Sequence, residues 1–353
     1  MNVENLYDQL ELGRIEEQFE ALFPKWELSF RELFSEIVNG NGLEAFSEQG
    51  KELLYMVTAE MDAVKYICVT LLLIGIISTV FTNFSSIFPS QQIGDFGFQF
   101  TYLILIIFLL KVNVEVFSVA RNGIEGMISF LQVFLPAYFL VVGAAGGSAT
   151  ALGFYQVFLI GIYFVEQILI VWILPLISCY MLLCIMNGIW EEERLGIFLK
   201  MLKGSIQTFL KVLLTVAVGS GVFQSMITPV IDTVKLNTVK KTVEVLPGIG
   251  ELADGSIEVV LGMSVLVKNT MGIIFMVLIL FVCALPVIKV FFFMLVVKGS
   301  AGLMGLSADK RIINCTNNFG DGIMLLLQTI ITAVMFFLIL VILITFSANR
   351  GYV

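Results

Sequence analysis

The chain has 353 residues, of which 58% are hydrophobic and 14% are charged, and its mean hydropathy is +0.98. Soluble domains are about 45–50% apolar and about 25% charged, so this composition indicates an integral membrane protein with several spans. The sequence contains no histidine, which excludes Ser-His-Asp and Cys-His nucleophile systems and the HExxH zinc site. It also lacks a GxxxxGK[ST] phosphate-binding loop, so energy from ATP would have to come through a partner.

The first 65 residues differ from the rest in charge and hydropathy. They hold 14 of the 28 acidic residues but 5 of the 20 basic ones. Apolar residues recur at helical spacing over 19–37 and 43–61, and the Asn-Gly-Asn-Gly at 39–42 is a strong stop between them. We predict two or three amphipathic helices in residues 1–65, packed on the body or docked on a partner because their polar face is acidic. A charged start followed by an apolar stretch is not visible, so a cleavable signal peptide is not expected.

Runs without Asp, Glu, Lys or Arg predict where residues 66–353 cross the membrane, since a crossing helix needs about 20 apolar residues. The runs are 66–94, 96–110, 126–165, 167–190, 212–231, 269–288 and 322–349. The second becomes long enough only if its helix continues past Lys111 and Glu115. The block 126–190 holds two or three crossings, with a break at 143–148. We therefore predict an all-α polytopic membrane protein with seven or eight transmembrane helices.

The dipeptide Leu-Pro recurs at a fixed distance along the chain. It stands at 135–136 and 246–247, and at 174–175 and 285–286, and the members of both pairs are 111 residues apart. In both halves the same elements follow in the same order. They are a Gly-rich stretch, a long apolar helix with an internal proline, a polar loop and a last span. This order suggests an internal duplication of about 110 residues, with repeats over 126–232 and 237–347, as transporters and channels often have. With seven prolines in the chain, the spacing by itself is weak evidence.

Ionisable residues inside the apolar runs are the candidate functional residues. Glu166 interrupts a long apolar block, and a charge at the centre of a membrane helix costs about 2.5 to 3.5 kcal/mol, so it normally faces protein or water. Glu166 either lines a conduit or relays protons, or it makes an internal polar contact nearer the interface. Lys289 either pairs with Glu166 or extends to the cytoplasmic face. Pro175 and Pro286 are candidate helix kinks, which expose carbonyl groups to a pathway or simply set the packing.

Residues 248–268 are too polar for a lipid-facing span and too apolar for an ordinary loop. The polar part of the segment is formed by Pro247, Gly248, Gly250, Glu251, Asp254 and Gly255. Non-helical backbone survives at membrane depth only where protein or water covers it. We therefore predict a re-entrant or interfacial helix pair that takes part in assembly.

The sequence gives no indication of a cofactor, a metal site or an enzyme. Four of the five cysteines lie inside apolar runs, and they form neither a CxxC motif nor the pattern of a disulfide framework, so they are expected to be buried thiols. A Ser-x-x-Lys motif from Ser307 to Lys310 stands in a polar stretch without any supporting motif. We expect no cofactor, no bound metal and no enzymatic activity.

The most distinctive stretches are VLPGIGEL at 245–252, which continues to VKN at 267–269, and CALPVIK at 283–289 before a polar loop and a last span. In these motifs the chain resembles the stage III sporulation protein AE family of endospore-forming bacteria, over roughly residues 60–350. The resemblance implies a multi-pass protein of the mother-cell membrane around the forespore, in a channel or feeding-tube complex that acts after engulfment. It also implies other membrane and ring-forming proteins as partners, together with a cytosolic secretion-type ATPase and without nucleic acid.

Function and topology have open alternatives at this stage. An autonomous secondary transporter or ion channel for a small solute is the competing function, and an assembly scaffold without a conduit is a third. The positive-inside rule favours cytoplasmic loops at 190–205 and 298–320. Lys111 and Arg121 also favour the inside, so seven spans put the N terminus inside, whereas a third crossing within 126–190 puts it outside.

Overall fold

The structure, a computed structural model, describes residues 16–17, 19–20, 29–38, 64–81, 91–142, 156, 159–190, 194–243, 250–305 and 309–347. Every regular element in these residues is a helix. We number the main ones α1 Phe30–Val38, α2 Val64–Phe81, α3 Gln91–Val142, α4 Leu159–Asn187, α5 Gly196–Val243, α6 Gly250–Met304 and α7 Lys310–Ser347. The predicted all-α membrane class is confirmed.

Helices α2 to α7 are each long and apolar enough to cross a membrane. The described residues thus contain six candidate spans, where the sequence predicted seven or eight. Helix α7 is the most deeply buried of the six, and α3, α4, α5 and α6 all pack against it. The body is therefore a helical bundle arranged around its last helix.

Among the described residues, one difference from the predicted spans arises in α3. The prediction separated a crossing that ends near residue 120 from one that begins at 126, but residues 91–142 form one continuous helix. The predicted continuation past Lys111 and Glu115 is confirmed, whereas the predicted interruption after it is wrong. The break expected at 143–148 lies outside the described residues.

Local contacts explain why the polar stretch in the middle of α3 stays helical. The guanidinium Nε of Arg121 lies 2.7 Å from Oε1 of Glu125, an i,i+4 pair that supports a helix. Gly123 has no side chain, and the ring of Pro286 in α6 occupies the space where a Cβ would be, 2.7 Å from its ideal position. The glycine thus permits close helix packing here instead of ending the helix.

Helix α6 overturns a second expectation. Gly250, Glu251, Asp254 and Gly255 lie in the first turns of one continuous helix that ends at Met304, so a separate re-entrant helix pair does not form over these residues. A helix of 55 residues is about 80 Å long, against a hydrocarbon core of about 30 Å. The polar start of α6 can therefore lie outside the lipid without a break in the helix. Pro247 and Gly248 lie outside the described residues.

One end of the bundle gathers several helix termini. The Tyr102 hydroxyl near the start of α3 donates a 2.6 Å hydrogen bond to the carbonyl of Ile185 near the end of α4. At the same end Gly188 lies against Cys315 near the start of α7. Gly75 in α2 lies against the side chain of Met304, where α6 ends.

Six of the 15 basic residues that follow residue 65 lie at this end. They are Arg194, Lys200, Lys203, Lys298, Lys310 and Arg311. The loops expected at 190–205 and 298–320 are mostly helical, because α5 begins at Gly196 and α7 begins at Lys310. We call this the basic end, and the positive-inside rule predicts a cytoplasmic position for it.

Helix α1, in the acidic N-terminal segment, packs at the opposite end. The ring centroid of Phe30 in α1 lies 6.4 Å from that of Phe134 in α3, and Phe134 stacks on Phe275 in α6 at 4.2 Å. Phe19 and Phe30 are both fully buried. Aromatic burial of this kind is a large apolar contribution to packing, so α1 is attached to α3 and α6 far from the basic end.

Helix α1 has the boundaries that its sequence dictates. The amide of Ser29 donates to Oε2 of Glu32 at 2.9 Å, and the amide of Glu32 donates to Oγ of Ser29 at 3.2 Å. This reciprocal capping box satisfies two amides at the start of the helix. The helix ends at Val38, directly before the predicted stop at 39–42.

We predict that the basic end and the N-terminal segment lie on opposite sides of the membrane. In a background without cysteine, Lys200→Cys and Lys310→Cys should react with an impermeant maleimide from the cytoplasmic side, and Gly40→Cys from the other side. The reason is that Phe134, which contacts α1, lies about 48 Å along α3 from Tyr102 at the basic end, more than the thickness of the hydrocarbon core. Labelling of Lys200→Cys and Lys310→Cys from different sides would contradict this topology.

Candidate functional site

Three helices meet in an ion triad formed by Lys203 of α5, Lys298 of α6 and Asp321 of α7. The Nζ of Lys203 lies 2.7 Å from Oδ2 of Asp321, and the Nζ of Lys298 lies 2.5 Å from Oδ1. Both carboxylate oxygens are therefore paired with a lysine. The three residues lie 95 and 23 positions apart along the chain, so the triad depends entirely on the tertiary fold.

The triad is half-buried. The side chain of Asp321 is 16% exposed, and those of Lys203 and Lys298 are 30% and 31% exposed. In such an environment the attraction between charges is screened less than at a surface, and an unpaired carboxylate is costly. The triad is therefore a stronger constraint on helix positions than the exposed pair Arg121–Glu125, whose side chains are 51% and 42% exposed.

Two glycines place Asp321 between the helices. A Cβ on Gly320 would lie 2.7 Å from Cγ of Lys298, and a Cβ on Gly322 would lie within van der Waals overlap of Cγ of Met181 in α4. Without side chains at 320 and 322, α7 approaches both α4 and α6 closely. The Gly-Asp-Gly sequence therefore combines two close helix contacts with the central charge.

A second polar contact joins α5 and α7 farther from the basic end. Nε2 of Gln207 donates to Oε1 of Gln328 at 3.3 Å. Gln207 follows Lys203 by one turn, and Gln328 follows Asp321 by two turns, so both contacts lie along one seam. The Thr332 hydroxyl donates to the carbonyl of Gln328 at 2.7 Å, which satisfies its own donor within the helix.

The structure places Glu166 away from this seam. Its side chain is half-buried at the start of a π-helical segment, Gln167–Ile173, and makes no hydrogen bond or ion pair with any residue in the described ranges. It precedes Met181, which touches Gly322, by 15 residues, or about 22 Å along the helix. π-Helical segments are rare and occur often at functional sites, and a conduit role for Glu166 stays a prediction.

Lys289 and the two candidate kink prolines also lie apart from the triad. Lys289 is half-buried in α6 and interacts with another group of the protein, and its pairing with Glu166 or its extension towards an interface stays a prediction. Pro175 follows the π-helical segment as the second residue of a regular α-helical part of α4. Pro286 lies inside α6 against Gly123, a packing contact, and the kinks stay predictions.

Sequence reasoning missed Asp321. The residue lies directly before the charge-free run 322–349, and a charge at the edge of an apolar run is ordinarily interfacial. Lys203 and Lys298 were assigned to loops for the same reason. The informative pattern was the pair of glycines around one acidic residue, since small residues mark close helix contacts in membranes.

The triad can hold helices together and can attract an anion, but it is poorly suited to proton abstraction. Both oxygens of Asp321 already accept from ammonium groups, and the three groups together carry one net positive charge. Within the ranges that the structure describes, no group of three His, Cys, Asp or Glu residues could hold a metal ion. The site is therefore an electrostatic and structural one.

We predict that Asp321 and Lys298 are energetically coupled. A double-mutant cycle with Asp321→Asn and Lys298→Gln, measured by reversible unfolding in mixed detergent micelles, should give a coupling free energy of about 1 kcal/mol or more. The matched cycle with Arg121→Gln and Glu125→Gln should give less than about 0.5 kcal/mol, because that pair is exposed. Equal coupling in both cycles would contradict the assigned role of the triad.

We also predict that Gly322 tolerates no side chain. Gly322→Ala should destabilise the protein by about 1 to 3 kcal/mol, because the new methyl group overlaps the side chain of Met181. Gly161→Ala in α4 is the matched control, since nothing lies within 4 Å of its Cβ position, and it should be neutral or stabilising by up to about 1 kcal/mol. Unfolding midpoints of the two variants check this, and similar values would refute the close contact.

Comparison with known proteins gives two matches and one negative result. The family model described as "Stage III sporulation protein AE (spore_III_AE)" matches residues 28–347. A protein of Bacillus subtilis (strain 168) named stage III sporulation protein AE is 25% identical over 309 residues, which cover 86% of this chain and 77% of that protein. No solved structure matches the chain.

The family match includes α1 and every candidate span, and also Asp321, Lys203 and Lys298. It extends to residue 28, well before the region near residue 60 where the sequence resemblance began. The chain belongs to the stage III sporulation protein AE family.

Proposed function

We propose that this chain is the membrane-embedded, permease-like component of the channel, or feeding-tube, complex that joins the mother cell to the forespore after engulfment. Membership of the sporulation family over residues 28–347 is the observation that carries the proposal. A multi-pass helical body with six candidate spans agrees with a role in a membrane. We place it in the mother-cell membrane that surrounds the forespore.

The proposed role is non-enzymatic. The sequence has no histidine and no phosphate-binding loop, and its ion triad has no free carboxylate oxygen to act as a base. A protein of this kind contributes a path or a platform through the membrane, and other components supply the energy.

The two sides of the bundle suggest two kinds of partner. The basic end would face the mother-cell cytoplasm, where a secretion-type ATPase could contact its short turns. The acidic segment 1–65 and the polar start of α6, with Gly250, Glu251, Asp254 and Gly255, would face the space between the membranes. Ring-forming membrane proteins are the proposed partners on that side.

The proposal predicts a phenotype restricted to development. Deletion of the gene in its endospore-forming host should leave vegetative growth unchanged and stop spore formation after engulfment, with loss of late forespore gene expression. Expression in the mother cell alone should restore spores, because the basic end would then face the cytoplasm that holds the ATPase. Spore counts and a late forespore fluorescent reporter measure both results.

Two outcomes would contradict the proposal. A growth defect in cells that are not sporulating would indicate a general function. Solute uptake by the purified chain, reconstituted alone into vesicles, would favour the autonomous secondary transporter or ion channel.

A further inference from the structure

Helices α5 and α6 both pack against α7 but hardly touch each other, which leaves a groove between them near the basic end. There Asp321 of α7 pairs with Lys203 of α5 and with Lys298 of α6. Lys200 precedes Lys203 by one turn, is exposed, and makes no ion pair with a residue in the described part of the chain. These four residues define the cationic groove.

The groove has more positive charge than its own carboxylate neutralises. Three lysines oppose one aspartate, so the net charge is two positive. Each ammonium group has three N–H donors, and Asp321 occupies one contact on Lys203 and one on Lys298. Because the side chains of Lys203 and Lys298 are 30% and 31% exposed, their remaining donors are accessible to an anionic ligand.

Apolar side chains are exposed directly beside these lysines. Met201 follows Lys200 and is 61% exposed, and Leu295 precedes Lys298 by one turn and is 51% exposed. Nothing lies within 4 Å of the Cβ position of Gly299, so this surface of α6 is open. In a membrane such a surface contacts acyl chains. A ligand of the groove would therefore carry an anionic group next to apolar chains.

Arg311, another cation at the same end, does not combine an excess of positive charge with exposed apolar side chains. A cavity of about 500 Å³ is lined by residues that include Phe98, Tyr102 and Arg311. The guanidinium of Arg311 lies 3.4 Å from the centroid of the Phe98 ring and makes two hydrogen bonds to Asp309, at 3.2 and 3.1 Å. Because Asp309 neutralises Arg311, the cavity has little attraction for an anion.

We propose that the cationic groove binds the headgroup of an anionic phospholipid from the leaflet at the basic end, and prefers a headgroup with two phosphodiesters. Basic pockets between transmembrane helices on the cytoplasmic side commonly bind such headgroups. The preference follows from charge, because two phosphodiesters match the net charge of the groove. The bound lipid would bridge α5 and α6 on the surface of α7.

Native mass spectrometry of the full chain, released from delipidating detergent and titrated with single lipids, tests the proposal. Diphosphatidylglycerol should bind more tightly than phosphatidylglycerol, and phosphatidylcholine should bind most weakly. Lys200→Gln should weaken diphosphatidylglycerol binding about fivefold, the loss expected for one lysine at a membrane surface. Lys200 has no ion pair to lose within the described residues, so this variant is expected to fold.

Asp321→Asn distinguishes a lipid site from a purely structural triad. Removal of the carboxylate raises the net charge of the groove, so the lipid should bind about fivefold more tightly even if the protein unfolds more easily. Lys111→Gln is the matched control, because Lys111 is an exposed lysine that lies over the ring of Tyr66 and belongs to α3, a helix that contributes no residue to the groove. It should leave lipid binding unchanged.

Three results would overturn the proposal. One is equal affinity for the three lipids, and another is equal weakening by Lys200→Gln and Lys111→Gln. The third is a lipid-free dimer that Lys200→Gln dissociates, since that would show a second copy of the chain as the occupant of the groove.

Discussion

The arrangement of the last three helices depends on the ion pairs that the Asp321 carboxylate makes with two lysines. Its two oxygens are paired with Lys203 and Lys298, so α5, α6 and α7 are fixed at one level along the bundle. Loss of either lysine leaves a partner, but loss of the carboxylate leaves two half-buried ammonium groups side by side. The glycines at 320 and 322 make the geometry available, because they allow α7 to approach α6 and α4. Residues 320–322 thus supply both the central charge and the two close helix contacts.

Much of the fold follows from hydropathy, because apolar runs of sufficient length have few alternatives to a membrane helix. The start of α1 likewise follows from the capping residues Ser29 and Glu32. Hydropathy did not predict that the helix continues through the middle of α3 and through the start of α6. A glycine such as Gly123 signals a helix end in water but a close helix contact in a membrane, and a contact to Pro286 could not be inferred from local sequence.

The candidate site was hidden for a related reason. The members of the ion triad lie on three helices, and each of them borders an apolar run. A charge in such a position is ordinarily assigned to the membrane interface. Glu166, in contrast, interrupts an apolar block, and it lies far from the triad with no partner in the described ranges. Exceptions to hydropathy identify isolated charges, whereas paired charges at helix ends require the tertiary structure. The resulting bundle has a basic end, and α1 packs on α3 far from it.

The central claim is that attraction between Asp321 and its lysines holds the functional arrangement, and a charge exchange tests it most directly. Asp321→Lys places three like charges together and should abolish spore formation. Adding Lys298→Asp exchanges the charges of α6 and α7, so that the triad again holds one carboxylate and two ammonium groups. The double variant should recover spores at an unchanged protein level in the membrane. Normal sporulation with Asp321→Lys alone, or no recovery in the stably inserted double variant, would contradict the account.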